Sequence, residues 1–351
     1  MTGASVNSIS AGAQTESRES PSGASDIDRP VFIVGCQRSG TTALAVMFDR
    51  HSRIAMLPET QFFYNYITRD RARRQGQTHR GLVERALDDL FIGQSGLSAE
   101  EIIEFFAPEP PTYENLFRAL LKAYAIKHYT PRVAEKSCNH LFHVDEILRL
   151  YPEAKIICIL RDGRDVVKSI RSVPWGRDKQ WAGICRNWNR YANEMFRVQA
   201  RLHADRFTLV RYEALMQSPE TELRRLCEFI GEDFEPAQLA EGTSSAVVPD
   251  VELKWKGKAK GMPDAKRVGA WRSSSTPEEI ALWNQYMGRN LRRTGYADTR
   301  VTGVSLLKRL GWLFAYVPYL PGILPIAAKV NRAFWRIVGR PKPDIYYIPL
   351  E

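Results

Sequence analysis

A glycine-bounded turn after an apolar run is the first stretch of the chain that could do chemistry. Four apolar residues, Val31 to Val34, run into Gly35, and Gly40 follows five positions later, ahead of two threonines. This order predicts a strand, a turn and the start of a helix. The unpaired backbone N–H groups at such a helix start point at one place, where an anion fits. The loop therefore indicates a phosphate site, and a chance glycine turn after a strand is the alternative.

The spacing of this turn is that of a nucleotide phosphate loop, GxxxxGK[ST], with one departure. The lysine position holds Thr41, and a cation stands inside the loop instead, at Arg38. Loss of the lysine argues against triphosphate chemistry. A 5′-phosphate can still bind to the backbone N–H groups, to the hydroxyls of Ser39, Thr41 and Thr42, and to the planar guanidinium of Arg38.

A second cation follows the strongest buried-strand pattern in the chain, Lys155 to Leu160. A strand that held magnesium would end in an acid, whereas this one ends in Arg161, with Ser169 in the helix that follows. Such a pair can hold a second phosphate by charge-assisted hydrogen bonds. The alternative is an ion pair of Arg161 with Asp162 or Asp165. Two anion sites without an acid arranged for a metal indicate a nucleotide with phosphate at both ends of its ribose.

The order of the motifs resembles that of a known enzyme family. GCQRSGTT after a strand, ETQ at Glu59, EKS at Lys136, ILRDGRDVVKS and GAW at Trp271 look like the sulfotransferases that use 3′-phosphoadenosine 5′-phosphosulfate, PAPS. Within that superfamily the order is similar to that of the protein-tyrosine sulfotransferases and their bacterial relatives. The resemblance covers roughly Val31 to Tyr296.

The resemblance implies a role for each matching residue. Arg38 and its neighbours Ser39, Gly40, Thr41 and Thr42 would bind the 5′-phosphosulfate, and Arg161 and Ser169 would bind the 3′-phosphate. Glu59 matches the position of the catalytic base, which would deprotonate the acceptor hydroxyl. Lys136 and Arg38 would stabilise the charge that grows on the departing phosphate oxygen. Because the sulfate of PAPS is already activated, no metal is expected.

Five residues have a second interpretation from sequence alone. Glu59 could be an acid at a helix N-terminus, opposite the helix dipole. His51 is a rival base, since histidine serves in other sulfotransferase branches. Tyr212 either packs in the core or lines the cofactor cleft. Lys266 and Arg267 lie where the family closes a basic loop over the nucleotide, but the RKG pattern of the cytosolic branch is missing there.

Composition favours anionic partners and a reducing compartment. The 351 residues carry a formal charge of +10, with a pI near 9.4, and 44% are apolar, which is enough for a sizeable core. No cysteine or histidine spacing typical of a metal site occurs, so no structural metal is predicted. The cysteines are odd in number and scattered, and we interpret them as buried thiols of a cytoplasmic protein: Cys36, Cys138, Cys158, Cys185 and Cys227.

Alternation of strand and helix patterns predicts an α/β fold of the P-loop type, with a mostly parallel sheet flanked by helices on both faces. Residues 1–29 are rich in Ser, Gly and Ala and predict a disordered leader. Residues 30–300 form the expected sulfotransferase domain, with a helical insertion over 61–130. Residues 301–351 form an apolar and basic C-terminal arm.

The C-terminal arm contains nineteen residues without a charge, Leu310 to Ala328, with lysines and arginines on both sides. Its length is borderline for a membrane span, and its prolines would break a straight helix. Flanking cations and aromatic residues suit a segment, 308–336, that lies on an anionic membrane surface, at the inner membrane face. The alternative is an arm that packs on the domain or on a second subunit of a homodimer.

Three functions remain in competition at this point. The first is transfer of a sulfuryl group from PAPS to an acceptor hydroxyl, or an amine, on a small-molecule, glycan or lipid-linked acceptor. The second is a P-loop kinase or NTPase, which the missing lysine and the missing strand-end acid disfavour. The third is a nucleic-acid-binding protein, suggested by the net charge and by the lysine-rich loop over 254–272, although no recognition motif occurs.

Overall fold

We describe the fold from a computed structural model, which covers residues 28–69, 78–89, 91–240, 264–296, 299 and 301–316. Most of the expected leader and residues 317–351 of the expected arm lie outside the described residues. Residues 254–263, the first part of the lysine-rich loop, also lie outside the described residues.

A five-stranded sheet forms the centre of the fold, and all of its strands are parallel. The order across the sheet is β2-β3-β1-β4-β5. The strand order therefore changes direction at β1: β2 and β3 lie on one side of it, and β4 and β5 lie on the other. The carboxyl ends of β1, β3 and β4 form one edge of the sheet, which is where ligands bind in open α/β sheets. The strands are β1 (Val31–Gly35), β2 (Ile54–Leu57), β3 (Arg132–Lys136), β4 (Lys155–Leu160) and β5 (Phe207–Arg211).

Helices surround this sheet, as the alternating pattern predicts. Two short helical segments matter for the site: a π-helix over Phe63–Arg69 and a 3-10 helix over Cys138–His143. The α-helices are α1 (Thr41–Asp49), α2 (His79–Leu87), α3 (Ala99–Phe106), α4 (Tyr113–Lys127), α5 (Val144–Leu150), α6 (Gly163–Arg171), α7 (Trp181–Arg201), α8 (Tyr212–Gln217), α9 (Pro219–Ile230), α10 (Trp271–Ser274), α11 (Pro277–Arg293) and α12 (Leu306–Tyr316).

Both faces of the sheet are buried. Side chains alternate along each strand, so neighbouring residues belong to different core clusters. On β1, Phe32 and Val34 belong to a core cluster that includes Phe117 of α4 and Trp188 of α7. Val31 and Ile33 belong to a second cluster, which includes residues of α1 and α9. The expected parallel sheet between two helical layers is confirmed.

The segment between β2 and β3 is helical, and part of it packs directly on the sheet. The Phe62 and Phe117 rings lie 4.6 Å apart, and the Tyr124 hydroxyl donates to the Met56 carbonyl at 3.2 Å. For α4, packing against the sheet is therefore an observed role.

The described part of the arm packs on the domain. The Tyr286 hydroxyl donates to the carbonyl of Trp312 at 2.6 Å, and the Gln285 amide donates to the carbonyl of Arg309 at 2.9 Å. The opposite side of α12 exposes Leu307 and Phe314 to 82% and 76%. Among the described residues, no helix is long and apolar enough to cross a membrane.

Candidate functional site

The turn between β1 and α1 needs glycine at both of its ends. Gly35 and Gly40 have φ angles of 140° and 103°, which favour glycine. A Cβ atom on Gly35 would lie 2.4 Å from the Ile159 carbonyl oxygen, and one on Gly40 would lie 2.5 Å from the Tyr212 ring. The turn can therefore approach β4 and α8 closely. No side chain caps the start of α1, so its first N–H groups face the turn, as a phosphate site requires.

Hydroxyl groups line this turn. Ser39 is fully buried, and its Oγ atom has no hydrogen-bond partner in the described part of the chain. The Thr41 hydroxyl lies 3.5 Å from the Cys138 sulfur, at the end of β3. A buried hydroxyl without a partner is costly, and an anion in the turn would satisfy it.

Arg38 leaves the turn towards α6. Its φ angle of 68° is unusual for a residue with a side chain, and its Nε atom donates to the Ser169 hydroxyl at 3.1 Å. The resemblance assigns Arg38 to one phosphate and Ser169 to the other. The structure brings the two side chains into direct contact, so the two expected anion sites adjoin each other, and we call them together the groove.

Arg161 lies at the same groove, beside the glycine turn. Its guanidinium donates to the carbonyl of Arg38 at 3.2 Å and to that of Arg267 at 3.0 Å, and it stacks 4.2 Å from the Tyr212 ring. Its buried Nε atom has no hydrogen-bond partner in the part of the chain that the structure describes. Carbonyls and a ring hold the guanidinium in place, and its Nε–H group is left to donate to an anion.

The two neighbouring aspartates mostly bind other groups. Asp162 pairs with Arg164 at 2.8 Å and accepts from the Trp271 indole at 3.1 Å. Asp165 accepts from the backbone N–H groups of Gly269 and Trp271 at 2.9 and 3.0 Å, and it lies 3.6 Å from the Arg161 guanidinium. Burial raises the pKa of the Asp165 carboxyl. The ion-pair alternative for Arg161 therefore applies only to Asp165, and only as a secondary contact.

Glu59 and Lys136 meet at the ends of the adjacent strands β2 and β3. The Lys136 ammonium contacts the Glu59 carboxylate, from Nζ to Oε2, and both side chains are largely buried. The Gln61 amide donates to the other oxygen of Glu59 at 3.3 Å. Parallel neighbouring strands bring their carboxyl ends together, which explains the pairing of residues far apart in sequence. The expected base and the expected leaving-group cation are thus adjacent.

A buried acid behind this pair was not predicted from the sequence. Glu135 is fully buried on the sheet face opposite Lys136, and its carboxylate lies 2.9 Å from Nδ1 of the equally buried His140. Burial raises the pKa of Glu135, but the contacts with His140, Ser137 and Thr60 together lower it below its ordinary value. The sequence signal for this acid is a glutamate inside a buried strand, which is stable only with polar partners.

His51 lies at the opposite edge of the sheet, before the start of β2. Its Nε2 atom lies 2.8 Å from the Asp233 carbonyl oxygen, and its Nδ1 atom accepts from the N–H of Arg53 at 3.1 Å. Both ring nitrogens have structural partners, so the alternative of His51 as the base is wrong for this geometry. Tyr212 packs in the core and also supports Arg161, which joins its two interpretations.

The basic segment after Asp264 lies against the groove through its backbone. The N–H of Lys266 and the guanidinium of Arg267 both bind the Asp264 carboxylate, at 3.0 and 3.2 Å, while the Arg267 carbonyl accepts from Arg161. In the described residues, no group of three or more metal-binding side chains forms a cluster.

The groove as a whole fits a ligand with two phosphates. The orphaned Ser39 hydroxyl and Arg161 Nε atom offer donors at its two ends, and the Arg38 side chain lies between them. Two cations and an uncapped helix start give the groove positive character. The residues present therefore suit the terminal phosphates of PAPS.

Comparison with known proteins gives relatives with named activities. The chain is 25% identical over 214 residues to a putative protein-tyrosine sulfotransferase of Caenorhabditis briggsae, covering 59% of this chain and 66% of that protein. It is 28% identical over 217 residues to protein-tyrosine sulfotransferase 1 of Danio rerio, covering 60% and 55%. It is 27% identical over 251 residues to an omega-hydroxy-beta-dihydromenaquinone-9 sulfotransferase of Mycobacterium bovis, covering 59% and 64%. The matches span about half to two thirds of these relatives.

Solved structures share the fold. The sulfotransferase domain of a Synechococcus olefin synthase aligns with a TM-score of 0.58 at 20% identity, over 77% of this chain and 95% of that domain. A sulfotransferase domain from the curacin biosynthetic pathway aligns with a TM-score of 0.59 at 19% identity, over 77% and 98%. The sulfotransferase family profile matches residues 30–236, which is more than half of the sequence. The chain therefore belongs to the sulfotransferase family.

Proposed function

We propose that the protein transfers a sulfuryl group from PAPS to an acceptor hydroxyl, or less favourably an amine. One observation carries the proposal: a cationic groove with orphaned donors and a buried Glu59–Lys136 pair share the carboxyl edge of one sheet. The groove suits the two phosphates of the donor, and the pair suits the acceptor and the bridging oxygen. The family of the chain supports the same activity.

In the proposed reaction, Glu59 accepts the proton of the acceptor hydroxyl as its oxygen forms a bond to sulfur. The bond between sulfur and the 5′-phosphate oxygen breaks, which releases a sulfate ester and adenosine 3′,5′-bisphosphate. Lys136 and Arg38 stabilise the negative charge on that departing oxygen. Arg161 and Ser169 hold the 3′-phosphate, and the turn from Ser39 to Thr42 holds the 5′-phosphate. PAPS supplies the activated sulfate, so the residues need only position, deprotonate and neutralise.

The test is a transfer assay with PAPS in excess chelator. Panels of small hydroxyl compounds, glycans and lipid-linked alcohols are incubated with the full chain, and products are detected by mass spectrometry. We expect a sulfate ester and one adenosine 3′,5′-bisphosphate per ester formed. Magnesium-dependent ATP turnover with no bisphosphate binding would instead support the rival P-loop phosphotransferase. Binding only to duplex or single strands, steeply weakened by salt, would support the nucleic-acid rival.

For the acceptor, we propose a small molecule, a glycan or a lipid-linked alcohol. The relatives' names include both protein tyrosine and a dihydromenaquinone, so the family alone does not fix the choice. The helical segment between β2 and β3 adjoins Glu59 and is the part of the chain that we expect to select the acceptor.

We also propose that the enzyme is cytoplasmic and that α12 docks it on an anionic membrane surface. The five cysteines are free and buried, which favours a reducing compartment. Helix α12 turns an apolar stripe to solvent, and the sequence after it continues with apolar, aromatic and basic residues. Its exposed apolar residues are Leu306, Leu307, Leu310, Leu313 and Phe314.

Co-sedimentation with anionic phospholipid vesicles tests this docking. We expect the full chain to pellet, and Phe314→Glu to remain in the supernatant because a charge opposes insertion of the stripe. Tyr129→Glu is a matched control, since Tyr129 is 77% exposed and Phe314 is 76% exposed. Equal pelleting of all three proteins would contradict docking through α12. A second copy of the chain as the partner would appear as a dimer that Phe314→Glu dissociates.

A further inference from the structure

We infer that Glu135 is a positioning residue for the transfer, because it holds the turn that carries Glu59. The inference rests on the proposed function and deepens it, since it explains how the base is kept at the end of β2. Glu135 does not touch Glu59 or Lys136 in the hydrogen bonds described, and it acts through the residues around it.

The carboxylate of Glu135 accepts three hydrogen bonds although its side chain is fully buried. Its Oε1 atom accepts from the N–H of Thr60 at 3.1 Å, from the Thr60 hydroxyl at 3.0 Å and from the Ser137 hydroxyl at 2.6 Å. Its Oε2 atom lies 2.9 Å from Nδ1 of His140. A buried carboxylate is stable only with such partners, so the donors are fixed as firmly as the acid.

Ser137 and Gln61 connect Glu135 to Glu59 through a chain of three hydrogen bonds, the first of which is the bond from Ser137 to Glu135. The Ser137 hydroxyl accepts from the N–H of Gln61 at 2.8 Å, and the Gln61 side chain donates to Oε1 of Glu59 at 3.3 Å. Gln61 has a φ angle of 49°, a strained conformation for a residue with a side chain, which persists only where surrounding contacts hold it. The contacts from Thr60 and Ser137 to Glu135 supply that support.

His140 helps to fix the orientation of Glu135, because its own ring is held among aromatic side chains. Its ring is fully buried and lies 6.1 Å from the Phe32 ring and 5.1 Å from the Phe63 ring. Its Nε2 atom accepts from the N–H of Phe63 at 3.4 Å. With Nε2 as acceptor, we assign the ring proton to Nδ1, the nitrogen that lies 2.9 Å from the Glu135 carboxylate.

The alternation of β3 separates this acid from the ion pair above it. Glu135 shares a sheet face with Phe32, whereas Lys136 is paired in register with Ile33 and lies on the other face. Adjacent residues of one strand thus perform different tasks. Lys136 faces the reacting groups, and Glu135 anchors the turn beside them.

The test variant is Glu135→Gln, compared with Glu232→Gln. Glutamine keeps the shape of the side chain. Its NH₂ group, however, is a donor and cannot accept the hydrogen bonds that one of the carboxylate oxygens accepts. Glu232 pairs with Arg132 at 2.9 Å, at the other end of β3, and its side chain is 5% exposed, so its variant removes a mostly buried charge far from the site. Kinetics with PAPS and amide hydrogen exchange of Thr60 and Gln61 are measured on the full chain.

For Glu135→Gln we expect kcat to fall by about 10–100-fold, as for other outer residues that orient a reacting group, with KM for PAPS within about twofold. We expect the Thr60 and Gln61 amides to exchange at least about tenfold faster. Glu232→Gln should lower thermal stability but change neither kcat nor these two amides. Should Glu135→Gln fail to fold, Ser137→Ala replaces it and should release the Gln61 amide while leaving kcat reduced.

Unchanged exchange at Thr60 and Gln61 would overturn the inference, whatever the activity. A fall in kcat that Glu232→Gln reproduces would also overturn it, because it would reflect general loosening. An inactive wild-type chain would refute the proposed function instead, and the exchange measurement would still decide whether Glu135 holds the turn.

Discussion

The two halves of the sheet's carboxyl edge are built on opposite electrostatic principles. At β1 and β4, the cations Arg38 and Arg161 are held by carbonyls, a hydroxyl and a ring, and buried donors remain without partners. At β2 and β3, each cation or imidazole meets an acid: Lys136 meets Glu59, and His140 meets Glu135. In the first half, Asp165 lies 3.6 Å from Arg161, and the Ser39 Oγ and Arg161 Nε atoms have no hydrogen-bond partner among the described residues. The second half is internally matched.

This difference teaches what each half can do. Surplus donors and charge stabilise a bound anion, so the β1 and β4 half is suited to grip phosphates. A matched pair adds little to anion affinity, but it fixes the geometry of a base and a cation. We call the first the cofactor half and the second the transfer half. Changes in the two halves should therefore affect different constants.

The largest effect is expected in the transfer half. Lys136→Ala or Glu59→Gln should lower kcat by about 10²–10³-fold or more. Each variant removes a group that acts during the transfer step, either by stabilising the developing charge or by accepting the proton. Binding of adenosine 3′,5′-bisphosphate should stay within a few-fold of wild type. Steady-state kinetics and calorimetry measure the two quantities.

Lys127→Ala is the control for this prediction. Lys127 also pairs with a glutamate, Glu101 at 3.1 Å, but on the surface of the helical segment. Its variant should keep full activity. Near wild-type kcat in both transfer-half variants would contradict the roles proposed for Glu59 and Lys136.

The next effect is expected in the cofactor half. Arg161→Gln should weaken binding of adenosine 3′,5′-bisphosphate by about 10–150-fold, since one charge-assisted interaction contributes about 1.5–3 kcal/mol. At saturating PAPS, kcat should change much less. Titration calorimetry gives the dissociation constant, and kinetics at high PAPS give kcat.

Arg171→Gln controls for the loss of any packed arginine. Arg171 also donates to a carbonyl, that of Lys179 at 2.9 Å, and stacks 4.8 Å from the Trp181 ring, but it lies outside the groove. The Arg171→Gln variant should bind adenosine 3′,5′-bisphosphate with wild-type affinity. If Arg161→Gln lowers kcat as strongly as it lowers affinity, the division between the two halves fails.

Much of this arrangement was predictable because it is encoded locally. The apolar run Lys155–Leu160, the glycines around the turn and the order of short motifs lie within continuous stretches, so strands and motif positions follow from the sequence. In the parallel sheet, Glu59 and Lys136 follow neighbouring strands, and their side chains meet at the carboxyl edge.

The polar partnerships were less predictable, because they join residues far apart in the chain. Arg38 binds the Ser169 hydroxyl, and Asp165 binds the backbone of Trp271, choices that depend on how loops settle on the sheet. Glu135 looked like an unremarkable strand residue because nothing local shows that a buried histidine faces it. The π-helix over Phe63–Arg69 gives no pattern distinct from an ordinary helix.

The smallest expected effect concerns pH and the core beneath the transfer half. Burial, with a smaller contribution from His140 and Arg190, lowers the pKa of His143 to about 4 from 6.5. Between these values the unfolded chain binds the proton and the folded chain does not, so stability falls as pH drops from 6.5 towards 4. From pH 6.5 to 5.5 the fall due to His143 should be about 1 kcal/mol.

Urea unfolding at the two pH values measures this fall. In His143→Gln the fall should be smaller than in wild type by the same amount, because the glutamine does not titrate. An identical pH dependence in wild type and His143→Gln would show that the residue is not sealed from water beside Phe63.

The central claim is that the cofactor half grips two phosphates of one nucleotide through protein groups alone. Titration calorimetry in excess chelator, comparing adenosine 3′,5′-bisphosphate with adenosine 5′-monophosphate, tests it most directly. We predict that the bisphosphate binds at least about tenfold more tightly, because only its 3′-phosphate reaches Arg161 and Ser169. Equal affinity for the two nucleotides, or binding that appears only when magnesium is restored, would contradict the account.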